Sequence, residues 1–290
     1  MGKCIFCSHE AKLTGEHIWS VKSRRLWLVA ALLGFVFLVF VPTLRYSLVY
    51  DDTEQIVRNP RLAAWSYVPE YFTTGLWSHL SSKDQSLYYR PAFLIWLRLA
   101  YAMMGPPSNI WHLASILAHL GATLSVFMLI RRLTGEFQGA ILGAGLFAIH
   151  PVQAEAVAWV SSVSEPLLTV FVVLSVYFYA GRKGPVSIVS CLFAALAMLT
   201  KETGMVAPAL IFAYEWTRSS FKGAVTGAAP YLLPALLCIA LRVNAVGQLG
   251  NGMPPSMSMG DMILTWPRVL AVYCLHLLWP VHLSASYEFP

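Results

Sequence analysis

The sequence predicts an all-α polytopic membrane protein with about eight or nine membrane segments and a large first loop on the non-cytoplasmic side. Three observations carry that expectation. Of 290 residues, 57% are hydrophobic and 12% charged, against roughly 25% charged in a soluble globular domain. The stretch "LWLVAALLGFVFLVFVPTL", Leu26 to Leu44, runs 19 residues without a charge, enough at about 1.5 Å per residue to cross roughly 30 Å of hydrocarbon. Further apolar runs recur near 91–104, 109–130, 138–149, 166–180, 186–200, 203–217, 229–246 and 263–283.

Lys22, Arg24 and Arg25 precede the first span and put the N-terminus in the cytoplasm. A cleaved signal peptide fits less well, because the apolar run is too long and no small-x-small site follows it. Arg131-Arg132, Arg182-Lys183 and Arg218 with Lys222 mark later cytoplasmic turns. The segments around Asp51-Asp52, His150 to Glu155, Lys201-Glu202 and 247–262 then fall on the opposite side. Several runs are shorter than a span and are expected to be tilted, bent or buried in the bundle. From Arg90 to Arg131 the chain must cross a net odd number of times, so 91–104 is expected to be re-entrant or half-length. The net charge of +6 is scattered in short clusters between apolar runs, which reads as topology and excludes a nucleic-acid partner. The five cysteines imply no disulfide framework.

The expected organisation is a cytoplasmic tail over 1–25 and a membrane module over 26–290, with an external loop over 45–90. That loop is rich in Trp and Tyr, so part of it is expected to lie along the interface as amphipathic helix. "GQLGNGMPPSMSMGD" reads as a further loop.

The polar residues at span ends carry the functional argument, each against a plainer alternative. Asp51 and Asp52 are adjacent carboxylates; their repulsion raises one pKa and suits a proton acceptor, although a solvated turn would hold the same pair. Arg90 in "YYRPAF" could grip a phosphate in a bidentate fork or simply snorkel to headgroups. His150, Glu155 and Glu165 sit between two apolar runs, where polar groups are costly and tend to be functional. Lys201 and Glu202 in "LTKETG" form either an adjacent ion pair or a lysine aimed at a lipid phosphate. His112 and His119, two turns apart on one helix face, suit interhelical hydrogen bonds better than ligation.

The series "YDDTEQIVRNPRL", "YYRPAF", "HPVQAEAVAWV", "LTKETG" and "RVLAVYCLHLLWPVHLSASYEFP" resembles the membrane module of the transmembrane and tetratricopeptide-repeat O-mannosyltransferases, within the GT-C glycosyltransferase superfamily. The likeness covers about residues 26–290. It implies a GT-C-like helical bundle that moves a sugar, mannose, from a polyprenyl-phosphate donor to a protein hydroxyl on the non-cytoplasmic face. By that resemblance Asp51 and Asp52 inherit the role of catalytic base, since a serine or threonine hydroxyl needs a positioned base to attack. Arg90 and Lys201, with His150 assisting, become candidates for the donor phosphate, whose leaving charge needs cations. Glu155, Glu165 and Glu202 become candidates for orienting substrate. Some superfamily members use a divalent metal beside such carboxylates, and oxygen ligands suit Mg²⁺ or Mn²⁺.

Two departures bear on these expectations. Many relatives carry a Gly-Arg-Ala-Asp/Glu element where this chain reads Ser162-Val163-Ser164-Glu165, which removes an arginine. The chain also stops at Pro290, where relatives continue, so the module is expected to be incomplete. Two other functional classes stay open: a non-catalytic membrane scaffold or lipid-carrier transporter of the same fold, and a channel or secondary transporter, which inverted repeats would mark.

The first residues, "MGKCIFCSHEAKLTGEHIW", resemble the opening of an HNH-type nuclease, with Cys4 and Cys7 as half a zinc site ahead of Glu16-His17. Tetrahedral zinc needs four ligands; His9 and His17 would have to complete a local set. A remnant or mis-assigned start, a small zinc knuckle and a nuclease are the three readings, in that order.

Overall fold

The computed structural model describes residues 6–80, 87–105, 107–184, 186–248, 258–281 and 283–284, with backbone alone over 6–22. Cys4 lies outside the described residues, and the side chains of Cys7, His9 and His17 do as well.

Among the described residues the chain is entirely helix and loop. The α-helices are α1 (Phe6–Phe40), α2 (Pro91–Met104), α3 (Ser108–Thr134), α4 (Phe137–Ile149), α5 (Gln153–Ala158), α6 (Ser164–Ala180), α7 (Ile188–Thr200), α8 (Ala207–Arg218), α9 (Phe221–Ala228), α10 (Leu232–Val246) and α11 (Met259–Leu278). Among the described residues four helical stretches are long and apolar enough to cross a membrane: Ser23–Arg45, Ser108–Thr134, Val160–Ala180 and Phe221–Val246. Shorter apolar helices, Pro91–Met103, Phe137–Ile149, Ile188–Thr200 and Ile263–Leu278, pack among or beside them. Large apolar side chains such as Trp27, Leu142, Leu146, Leu233 and Leu278 face outward, the pattern of a bundle whose solvent is lipid.

Local signals set the helix ends. Pro91 opens α2, where a missing N–H costs nothing. Ser187 caps α7 by accepting from Ser190 N, and Ser258 with Asp261 forms a reciprocal capping box on α11. Gly135 ends α3 at φ 75°, a left-handed turn that glycine adopts without strain.

Packing follows membrane rules, with small residues and buried hydroxyls at the seams. Ala140, Ala144 and Ala148 recur every fourth residue along α4 and are fully buried, which lets α3 and α4 approach closely. His119 of α3 donates from Nε2 to Ala148 O at 2.9 Å, the interhelical bond expected of that histidine. Ser175 and Ser190 exchange bonds between α6 and α7, and Tyr231 donates to Ser190 Oγ at 2.5 Å. Gly204 lets the turn after α7 fold back on that helix; a Cβ there would stand 2.4 Å from the Ala197 carbonyl.

The bundle has two chemically distinct ends. At one, the loop after α1 folds onto α2, α3 and α6 through Ile56, Leu62, Tyr71, Phe93, Trp111 and Val160. Helix α2 has 14 residues and reaches only about 21 Å. Its first turn is tied through Arg90 to Glu202, and Gly105 beyond its last turn accepts from Trp111 Nε1 at 3.0 Å. A helix of this length falls short of a full span. At the other end lie Arg25, Arg131, Arg132 and Arg182; the first two flank the Phe137 ring.

Candidate active site

The chain leaves α1 through a short 3-10 turn, Val41–Arg45, and reverses at Val49 to Asp52. Asp52 closes this reversal in both directions, donating from N to Val49 O at 3.0 Å and accepting at Oδ2 from Val49 N at 3.1 Å. The cost falls on Tyr50, whose φ of 49° is left-handed, a conformation worth about 1–3 kcal/mol of strain for a bulky residue. The Tyr50 ring meets Trp159 edge-on at 6.1 Å.

The two aspartates have different surroundings. Asp52 is fully buried, and its Oδ1 accepts from Ser161 N at 2.7 Å and from Ser161 Oγ at 2.5 Å. Asp51 is half-buried, and no hydrogen bond to its carboxylate occurs among the described residues. Burial pushes the Asp51 pKa up, and the Asp52 charge adds to that, while Arg90 opposes it. Asp51 is thus a carboxylate of raised pKa, and Asp52 is the one that fixes the loop.

A layer of ion pairs surrounds this turn. Arg90, immediately before α2, donates from Nε to Glu202 Oε2 at 3.0 Å and pairs through Nη2 at 2.9 Å. The Glu202 Oε1 atom accepts from Arg242 Nη1 at 3.2 Å and from Tyr89 N at 3.3 Å. Arg242 Nη2 also donates to Leu87 O at 2.5 Å. Lys201 turns away from its neighbour Glu202 and pairs with Glu165, because Lys201 is extended (φ −157°, ψ 148°) between α7 and the following turn. The adjacent ion pair anticipated from "KE" is therefore replaced by two pairs to distant partners. Burial raises the Glu155 pKa, with the Glu165 charge adding and Lys201 opposing.

Asp51, Arg90, Lys201, Glu155, Glu165 and Glu202 thus gather at one end of the bundle, as expected from their places in the chain. His150 is set apart from them: its Nε2 donates to Leu277 O at 3.1 Å and its Nδ1 accepts from Val152 N at 3.3 Å. Its bonds are to Val152 and α11, not to Arg90 or Lys201. Arg242 was not among the sequence candidates. The signal for it was an arginine deep in the apolar run "LLPALLCIALRVNAV", where a charge is costly unless paired.

Beside the Asp51 turn opens a cavity of about 750 Å³ lined by Tyr46, Val49, Val152, Glu155, Trp159 and Leu277, among others. Its walls are largely apolar, with Glu155 the carboxylate among them.

Among the described residues no group of three His, Cys, Asp or Glu side chains converges on a point. Glu165 and Glu202 are already engaged by cations. No step is derived through a metal.

Comparison with curated proteins places the chain. A protein O-mannosyl-transferase of Caenorhabditis elegans is 29% identical over 235 residues, covering 76% of this chain and 31% of the relative. Protein O-mannosyl-transferase TMTC4 of Homo sapiens is 31% identical over 183 residues, 54% of this chain and 25% of the relative. TMTC3 of Mus musculus is 28% identical over 200 residues, 66% of this chain and 21% of the relative. The chain is similar to protein O-mannosyl-transferases over as much as 76% of its length. It spans between about a fifth and a third of the length of these relatives. No family model and no solved structure matches it. The cluster around Asp51 is this chain's candidate active site.

Proposed function

We propose that this chain forms part of a glycosyltransferase that moves mannose from a polyprenyl-phosphate donor to a hydroxyl of a protein acceptor, on the non-cytoplasmic face of the membrane. The observation that carries the reading is the placement of Asp51. It is a half-buried carboxylate with raised pKa, on the turn whose Val49 lines an apolar cavity, and within electrostatic reach of Arg90.

In this reading Asp51 accepts the proton of the acceptor hydroxyl as its oxygen attacks the anomeric carbon. The bond from that carbon to the phosphate oxygen breaks, and the polyprenyl phosphate leaves as an anion. A raised pKa makes Asp51 the stronger base for this task. Arg90 and Arg242 stabilise the departing charge. A guanidinium carries five N–H donors, and Glu202 engages Arg90 through Nε and Nη2. Lys201 adds a third cation, while the apolar cavity accommodates the lipid end of the donor and Glu155 faces its sugar.

The rival reading is a non-catalytic scaffold or lipid-carrier transporter of the same fold. It draws on the pairing of Arg90, Arg242 and Lys201 with carboxylates, which neutralises the cations a phosphate would need. Transfer of radiolabelled mannose from polyprenyl-phosphate mannose, measured in membranes carrying the protein, separates the two. Asp51→Asn should lower the rate by about 10²–10⁴-fold with membrane insertion unchanged. An unaltered rate in that variant would remove Asp51 as the base.

A further inference from the structure

At the opposite end of the bundle from Asp51, the cations are held in a different way. The five ion pairs among the described residues include Arg182 but not Arg24, Arg25, Arg131, Arg132 or Lys183. The arginines here are held on aromatic faces instead. Arg132 lies with Cζ 3.8 Å from the Tyr177 ring centroid and donates from Nη1 to Tyr177 O at 2.9 Å. Arg131 and Arg25 flank the Phe137 ring at 5.5 and 5.4 Å. Aromatic stacking fixes a guanidinium without neutralising it, so the donors keep their charge for a ligand.

The seat of Arg132 depends on a residue with no side chain. A Cβ on Gly181 would stand 1.8 Å from Arg132 Nη1 and 2.6 Å from its Cζ. Gly181 ends α6 at φ −100°, a conformation open to any residue, so backbone freedom does not require glycine there. What the glycine provides is space for the guanidinium across the end of α6.

Between α3 and α6 at this end lies a second cavity, of about 310 Å³, lined by Phe127, Met128, Arg131, Arg132 and Tyr177. No carboxylate lines it. Arg131 and Arg132, in the last turn of α3, share this lining with Phe127, Met128 and Tyr177.

We propose that this cavity binds the headgroup phosphate of an anionic phospholipid, with Arg131 and Arg132 on the phosphate and Phe127 and Met128 against the upper acyl chain. The apolar wall is the reason for a lipid over a free phosphate, since an inorganic anion would gain nothing from it. Basic pockets between helix ends are suited to such headgroups. The site is independent of the reaction assigned to the Asp51 end.

Native mass spectrometry of the detergent-purified protein, titrated with dioleoyl phosphatidylglycerol and with dioleoyl phosphatidylcholine, tests this. Phosphatidylglycerol should be retained preferentially, and Arg132→Gln should weaken it about fivefold. Gly181→Ala keeps every charge, and should also weaken retention by displacing Arg132. Lys183→Gln, which removes a cation outside the cavity, should leave it unchanged. Equal retention of the two lipids, or equal losses from Lys183→Gln and Arg132→Gln, would show a diffuse surface effect and overturn the site. Displacement of the lipid by low-millimolar inorganic phosphate would overturn the choice of a lipid ligand. Unchanged retention in Gly181→Ala would overturn the seating of Arg132.

Discussion

Asp52 and Ser161, separated by 109 positions in the chain, are joined by two hydrogen bonds to a single carboxylate oxygen. The bond ties the first loop to the turn leading into α6, and so holds Asp51 at a fixed place beside the cavity. Replacing Asp52 by Asn should therefore act first on stability. Loss of a charge-assisted acceptor, with an amide N–H set against Val49 N or Ser161 N, should cost about 1.5–3 kcal/mol. Thermal unfolding in detergent would read this loss, and Asp51→Asn in the same assay should stay within about 0.5 kcal/mol of the parent or gain.

The raised pKa of Asp51 gives two pH effects of defined sign. As a base Asp51 must be ionised, so the transfer rate should fall on the acid side at a pH above the ordinary aspartate value of 3.8. Arg90 opposes the rise, so Arg90→Gln should move that limb to higher pH; a limb that stays put would detach Arg90 from Asp51. For stability, the folded state holds the proton more tightly than the unfolded chain. The contribution is therefore full below the unfolded pKa and is lost as pH rises through the folded one. Asp51→Asn should flatten this part of the stability profile.

Glu202 links Arg90 to Arg242, and hence α2 to α10. Glu202→Gln should cost about 1–3 kcal/mol, because two mostly buried guanidiniums lose their charged partner. A double-mutant cycle between Glu202 and Arg242 should return a coupling of about 0.5–3 kcal/mol. A coupling near zero would mean that Glu202 does not hold Arg242.

Gly204 should tolerate no side chain. A Cβ would meet Ala197 backbone rather than a movable side-chain tip, so Gly204→Ala should destabilise by about 1–3 kcal/mol through forced separation of the turn from α7. Gly34, with nothing within 4 Å of the corresponding position, serves as the neutral control in the same unfolding assay.

The membrane class, the helical fold and the position of most polar candidates were legible in the chain. Apolar runs report transfer free energy directly, and charges at their ends report where helices leave the hydrocarbon. Less legible was which of two adjacent aspartates would be free. "DD" is symmetric as text, and Ser161 breaks the symmetry from a segment that nothing local connects to it. Lys201 and Glu202 gave the same difficulty, since adjacent residues in an extended backbone point apart. Arg242 was visible as a charge in an apolar run, but its partner was not.

By itself the sequence determined the solvent this protein is built for, the helices it forms and the ends at which its charges collect, because each depends on the hydropathy of neighbouring residues. The tertiary structure decided how those charges pair: Asp52 to Ser161, Glu202 between Arg90 and Arg242, Lys201 to Glu165, and Arg132 over Tyr177 beside Gly181. The reason is physical. A buried or half-buried charge must find its partner wherever the fold supplies one, and the distance along the chain places no limit on where that is.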